Sequence, residues 1–315
     1  MHVPDGLLSP PVAIACATLA VAGVGAAGRR SRALLGSRAV PRMGVAAAFV
    51  FSAQMINFPV AGGTSGHLIG GTLTAVLLGP SAAVVAMTAV LVMQCLVFGD
   101  GGLLALGANV LNMGLVHPIV GFAVYRVVLG RRTADRPKSA TRRIAAIAFA
   151  SWAATLVASG VCAGELALSR VAAPGVVFPA MVVVHAGLGL GEGVIAALVL
   201  AAVLRLRPQV LERRRTDSSA GASSIVVLGL ATSLGVALFL SPFACKWPDS
   251  LERLAQHVGL EPWRVQLTSA PMRDYVIPGV KSTLLATSLA AAAGTLLVFG
   301  LAFALGSWLA APTRS

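Results

Sequence analysis

Gln54-Met55-Ile56-Asn57-Phe58-Pro59-Val60-Ala61-Gly62-Gly63-Thr64-Ser65-Gly66-His67-Leu68-Ile69-Gly70-Gly71 closes one long apolar run and opens the next. Two amides, two hydroxyls and an imidazole sit at that junction. Polar groups at a membrane boundary are costly unless they are satisfied or functional. Gly62, Gly63 and Gly66 let the backbone turn tightly and bring its own polar groups near a small ligand. The runs on either side decide the fold class, and the junction is where a site would form.

Hydrophobic residues make up 57% of the 315, charged residues 11%, and the mean hydropathy is +0.86. These values give an all-α integral membrane protein. The 34 glycines, with abundant Ala, Val and Leu, suit closely approaching helix backbones. A net charge of +13 would fit nucleic acid if it were spread over a surface. Instead it is concentrated between apolar runs, as topology signals are, so no nucleic-acid partner is expected. Four scattered cysteines, Cys16, Cys95, Cys162 and Cys245, contain no CxxC pair and indicate neither a zinc knuckle nor a disulfide framework. The N-terminus lacks a basic n-region, so no cleaved signal is expected. Met1 is expected to be retained before the large His2.

Helical spans are expected at about 10–28, 43–58, 67–80, 81–98, 108–129, 144–163 and 176–204, the third being short. Basic clusters separate them: Arg29, Arg30, Arg32, Arg38 and Arg42; then Arg131, Arg132, Arg136, Lys138, Arg142 and Arg143; then Arg205, Arg207, Arg213, Arg214 and Arg215. Placing all three clusters in the cytoplasm puts the N-terminus, the 59–66 turn and the 99–107 loop together on the outer face of a cell inner membrane. Residues 216–224, rich in Ser, read as a linker. Two further spans, about 225–240 and 281–309, form a C-terminal hairpin. The expected organisation is thus a seven-span bundle (1–215), a linker (216–224) and a two-span accessory unit (225–315). Within the latter, Leu251, Leu254 and Val258 have helical spacing behind Asp249 as a cap.

His2 is the candidate with the most specific chemistry. The α-amine of residue 1, the amide nitrogen of residue 2 and the His2 imidazole can wrap one ion in fused five- and six-membered rings. The amide must lose its proton, which Ni²⁺ and Cu²⁺ promote, and four nitrogens in a plane suit tetragonal metals. Taken alone His2 reads as a terminal residue. With His67 on the same face to supply the fourth nitrogen, metal binding becomes the leading reading.

Several stretches carry a family resemblance. Met1-His2-Val3-Pro4-Asp5-Gly6, the 54–71 stretch, Phe98-Gly99-Asp100-Gly101-Gly102 with Leu106-Gly107-Ala108-Asn109, and His185-Ala186-Gly187-Leu188-Gly189-Leu190-Gly191-Glu192-Gly193 agree in order and spacing with the CbiM/NikM family. These are the substrate-capturing S components of energy-coupling factor transporters for cobalt and nickel. The resemblance covers about residues 1–205. It implies a ligand set of the Met1 amine, the His2 amide and imidazole, and the His67 imidazole. It also implies Ni²⁺ or Co²⁺ as transported substrate with no permanent cofactor. The implied partners are ATPase subunits and a transmembrane coupling (T component) subunit. The tail resembles the accessory partner CbiN/NikN through Ser241-Pro242-Phe243-Ala244 and Pro248-Asp249-Ser250-Leu251-Glu252, with Ser250 where that pattern has glycine.

Other polar residues have two readings each. Gln54 and Asn57, three apart, either orient His67 and the N-terminal segment or hydrogen-bond between helices. Ser65 joins them as a candidate supporting residue. Asp5 either holds the N-terminal segment or makes a turn with Gly6. Asp100 and Asn109 read as loop-fixing residues. His185 and Glu192, seven apart, read as a structural pair or a conformational switch rather than a metal site. His117 reads as hydrogen-bonded within the bundle and His257 as exposed. Lys281-Ser282 follows Val280, not glycine, and no phosphate-binding loop or His-Glu-x-x-His motif occurs, so neither an ATPase nor an intramembrane metalloprotease is expected. A stand-alone secondary permease or channel would need charged groups along a continuous path, and the spans offer few.

Overall fold

The structure is a computed structural model that describes residues 1–36, 39–60, 63–130, 139–206, 219–257, 267 and 269–310. Helix α1 (Pro10–Leu34) leads into α2 (Val40–Gln54), followed by a two-stranded antiparallel ribbon, β1 (Phe58–Val60) and β2 (Thr64–Gly66). Then come α3 (Gly71–Leu78) and α4 (Pro80–Met93), the latter prolonged by a π-helical turn over Gln94–Phe98. The short α5 (Leu106–Asn109) runs through a π-helical stretch, Val110–Val116, into α6 (His117–Leu129). Helices α7 (Ala140–Leu168) and α8 (Pro174–Leu206) complete the first unit. The C-terminal part holds α9 (Ser219–Phe239), α10 (Ser250–His257) and α11 (Thr283–Leu309).

Among the described residues, seven stretches are long and apolar enough to cross a membrane, five before residue 207 and two after it. Helices α2 and α3 fill the remaining places of the first bundle with 15 and 8 residues. Small residues permit the tight packing. Ala146, Ala150, Ala154 and Ala158 are fully buried along α7, which packs against α8. A Cβ on Gly193 of α8 would stand 2.7 Å from the Ala148 carbonyl oxygen, so only glycine permits that approach.

The C-terminal hairpin packs on α2. Gly294 of α11 lies against Phe51 and Phe98, and Gly229 of α9 against Val45. Backbone bonds Cys245 N–H to Asn57 O (2.8 Å), Ser65 N–H to Pro248 O (2.9 Å) and Met272 N–H to Val97 O (2.9 Å) tie residues 245–248 and 272 to one end of the first bundle. Helix α10 begins as expected. The Asp249 carboxylate accepts from the Leu251 and Glu252 amides (2.8 and 2.7 Å), while the Glu252 carboxylate accepts from Asp249 N–H (3.1 Å), a reciprocal capping box.

Four expectations change. The third run does not become helical at His67: residues 67–70 form neither helix nor strand, Gly70 has φ of +81°, and α3 starts at Gly71. Helix α2 ends at Gln54, which leaves Asn57 outside it. Glu192 does not pair with His185, and instead holds the non-helical segment 67–70 through the Ile69 and Gly70 amides. Helix α9 takes in residues 219–224 of the stretch read as a linker, while 216–218 lie outside the described residues. The His257 side chain is likewise outside the described set.

Candidate metal centre

Irregular backbone at membrane depth requires buried partners for its polar groups, and residues 67–70 have them. The Glu192 carboxylate accepts from the Ile69 and Gly70 amides (3.2 and 2.9 Å), and the Gln54 amide donates to Ile69 O (2.7 Å). Glu192 also accepts from Thr155 Oγ1 (3.0 Å) and faces His117 Nε2 at 3.2 Å. His117 Nδ1 accepts from Thr72 N–H (3.2 Å), so its proton lies on Nε2 and is donated to the carboxylate. A buried carboxylate thus holds in place the turn that carries His67.

The N-terminal segment folds back into the bundle, and Met1, His2 and Asp5 are buried. Val3 is bracketed by Asn109, whose Oδ1 accepts from Val3 N–H (2.7 Å) and whose amide donates to Val3 O (3.1 Å); Gly102 N–H donates to the same carbonyl (2.9 Å). The Asp5 carboxylate accepts from the amides of Leu103, Leu104 and Ala105 (2.9, 2.7 and 3.3 Å). Both of its readings are observed: Asp5 holds the segment, and with Gly6 (φ +95°) it forms a turn. Asn109 likewise fixes the N-terminal segment rather than only its own loop.

These contacts set the His2 imidazole 5.1 Å from that of His67, centroid to centroid, with the planes inclined by 33°. A relay fixes the His2 tautomer. Ile69 O can only accept, so the Gln54 amide donates to it; Gln54 Oε1 then accepts from the Gln94 amide (2.7 Å), and Gln94 Oε1 accepts from His2 Nε2–H (3.1 Å). Nδ1 of a neutral His2 is left with a bare lone pair, 3.2 Å from Asp100 Oδ1. Two acceptors facing each other require a cation or a proton between them. At His67, Nδ1 lies 2.8 Å from Leu68 O, so Nδ1–H donates and Nε2 is the bare nitrogen. That Nε2 is out of contact with solvent and has no hydrogen-bond partner. This is how metal-ligating imidazoles are prepared, one nitrogen anchored and the other free.

Burial, reinforced by the nearby Met1 ammonium, holds the His67 imidazole down to a pKa of about 4. Burial likewise lowers His2, against the pull of Asp100. Burial pushes Asp100 up, but His2, His67 and a 2.6 Å hydrogen bond from the Tyr275 hydroxyl outweigh it and hold the carboxylate below its usual range. Asp249 is also held low: the Met1 ammonium, 3.3 Å from Oδ2, outweighs burial. Near neutral pH the site therefore combines two neutral imidazoles with two carboxylates. A cavity of about 570 Å³ opens beside it, lined by His2, Asn57, His67, Asp100, Asp249 and Tyr275 among others.

Among the described residues, no three His, Cys, Asp or Glu side chains converge to hold an ion. An ion here would depend on main-chain nitrogens, the residue 1 amine and the His2 amide, which the N-terminal segment brings to the imidazoles. Ser65 takes another part: its hydroxyl donates to Trp247 O (2.5 Å) and its amide to Pro248 O, docking the C-terminal segment. The sequence reading missed Gln94, Tyr275 and the contact of Asp249 with residue 1. Gln94 was the most legible of these, as an uncharged amide inside an otherwise apolar run.

Residues 2–210 match the family described as CbiM, cobalt uptake substrate-specific transmembrane region, and residues 223–311 match the PDGLE domain. A chain from Archaeoglobus fulgidus, provisionally named a fused nickel transport protein NikMN, is 36% identical over 307 residues, covering 97% of this chain and 98% of that one. The fused nickel transport protein NikMN of Rhodobacter capsulatus is 36% identical over 253 residues, 72% of this chain and 71% of that one. Two solved structures share the fold. A truncated transition metal transporter matches with a TM-score of 0.58 at 34% identity, covering 65% of this chain and 99% of that one. A transition metal transporter matches at 0.59 and 30%, covering 72% and 99%.

Proposed function

This chain belongs to the CbiM family and carries a PDGLE domain behind the CbiM region, and from that premise we propose that it is the substrate-capturing membrane subunit of an energy-coupling factor transporter for Ni²⁺ or Co²⁺. The observation that supports this most is the pair of prepared imidazoles, His2 and His67, each with one nitrogen anchored and one bare. The ligands are the Met1 amine, the deprotonated His2 amide, His2 Nδ1 and His67 Nε2. Gln54 and Gln94 orient His2, and Asp5 and Asn109 seat the segment that carries three of the four nitrogens.

The ion enters from the outer face through the cavity beside Asp100 and Asp249, whose charges favour a cation. As it binds near neutral pH, one proton each leaves the amine and the amide, and the ion takes the place between His2 Nδ1 and the Asp100 carboxylate. Four nitrogens in one plane favour Ni²⁺ over Zn²⁺ and Mn²⁺, and Co²⁺ can occupy the same ligands. The CbiM region (1–215) captures the ion, and the C-terminal unit (225–315) closes over it. The basic clusters place the opposite end in the cytoplasm. There the chain docks on a transmembrane coupling subunit, and ATPase subunits supply the energy.

The direct experiment is titration of the purified chain, bearing its Met1-His2 terminus, with Ni²⁺, Co²⁺ and Zn²⁺, beside His67→Ala. One tight site for Ni²⁺ or Co²⁺, weakened at least 100-fold in the variant, is expected. Binding indifferent to His67 would remove it from the ligand set.

A further inference from the structure

His185 lies about a third of the way along α8, a membrane-spanning helix, and is 2% exposed. Its Nδ1 sits 2.7 Å from the Met181 carbonyl one turn back, so Nδ1–H donates and Nε2 keeps a bare lone pair. That Nε2 has no hydrogen-bond partner. The arrangement repeats that of His67: a backbone carbonyl fixes the tautomer, and a desolvated nitrogen is left free. The two histidines share a cavity of about 10 Å³, whose lining also includes Met1, Thr155, Asp249 and Ser250. The Ser250 hydroxyl is a third buried group there without a partner. A buried polar atom without a partner is costly, and three residues lining one small cavity each carry such an atom, which points to an occupant.

We infer that His185 is a metal ligand, the second imidazole of a transit site that takes a divalent first-row transition ion from His67 through this shared cavity. The inference rests on the capture of an ion at His67 proposed above. The step is ligand exchange alone: one imidazole–metal bond forms as others break, with no change of oxidation state. Only two imidazoles meet at the cavity, and no three His, Cys, Asp or Glu side chains converge among the described residues. A site so poor in ligands binds weakly, as a passing station must if the ion is to leave it. The position is also right for passage. Going along α8 from Pro174 to the end that carries Arg205, His185 comes before Glu192, and Thr155 links the cavity lining to Glu192.

The test compares wild type, His185→Gln and His185→Cys by equilibrium Ni²⁺ titration of purified chains and by radioactive Ni²⁺ uptake in cells that depend on this chain. Gln can still bond a water in the cavity but is a poor ligand, whereas Cys restores a ligand. The expected result is binding within threefold of wild type for both variants, with maximal uptake at least tenfold lower for Gln and partly recovered for Cys. The half-saturating concentration should stay unchanged. Full uptake by His185→Gln would overturn the inference and leave a structural water as the occupant. Binding and uptake falling together in both variants would overturn it in favour of a packing role. Loss of the inference leaves the capture reading intact, because that reading stands or falls on the His67→Ala titration.

Discussion

The residue 1 ammonium and the Asp249 carboxylate lie 3.3 Å apart, joining two parts of the chain 248 residues distant in sequence. Asp249 uses its two oxygens differently. Oδ1 caps α10 by accepting from the Leu251 and Glu252 amides, and Oδ2 faces the amine. Asp249→Asn keeps the cap and removes the charge. Loss of a negative charge beside a dication and its seated amine should weaken Ni²⁺ binding about tenfold, measured by titration with helicity unchanged. Unaltered affinity would mean that the amine is seated without Asp249.

The relay from Ile69 through Gln54 and Gln94 to His2 makes a second prediction. Gln94→Leu removes the acceptor that anchors His2 Nε2–H, and Gln54→Leu removes the acceptor that orients Gln94. Each should lower metal affinity roughly 10–100-fold. The double variant should cost little more than either alone, because the three groups act as one chain. Additive losses in a double-mutant cycle would show that the amides act independently.

Gly102 meets Asp5 so closely that a Cβ would lie 2.2 Å from the carboxylate and 2.3 Å from the backbone nitrogen. Gly102→Ala should therefore unseat the N-terminal segment and abolish high-affinity binding while leaving the helical bundle assembled. Protease cleavage near the N-terminus, compared with wild type, reads the unseating directly.

Acid should act in a defined order. His67 has a folded pKa of about 4 against an unfolded value of 6.5, so between these values the unfolded chain binds the extra proton. Stability is full above about pH 6.5 and falls as pH drops towards 4, the sign expected of a depressed pKa. The lowered Asp100 and Asp249 extend the same trend to lower pH. Thermal melting of the metal-free protein should accordingly drop across this window, and His67→Gln should flatten the upper part of the drop. Over pH 6.5–7.5 the imidazoles are already neutral. Metal uptake there should release about two protons per ion, from amine and amide.

Much of the bundle was legible because basic clusters and apolar length are local signals. Helices α1, α2, α7 and α8 start or stop within a few residues of Arg29–Arg42, Arg142–Arg143 and Arg205. His2 and His67 were legible as a pair once topology placed both on one face. Residues 67–70 were not, since their apolar character fits a helix. What holds them out of a helix is Glu192, more than 120 residues away, and a left-handed Gly70. Gln94 and Asp249 were hidden for a related reason. Their partners, Gln54 and Met1, are 40 and 248 residues away, and no periodicity reports such contacts.

In the proposed site residue 1 supplies one of the four nitrogens, and lengthening the chain in front of it tests this. Ni²⁺ affinity is measured for the chain starting at Met1 and for the same chain extended by one alanine before Met1. The extension turns the amine into an amide and moves the charge outward. Loss of the tight site, by at least 100-fold, is expected, with the fold unchanged by thermal melting. Equal affinity in the two proteins would contradict it.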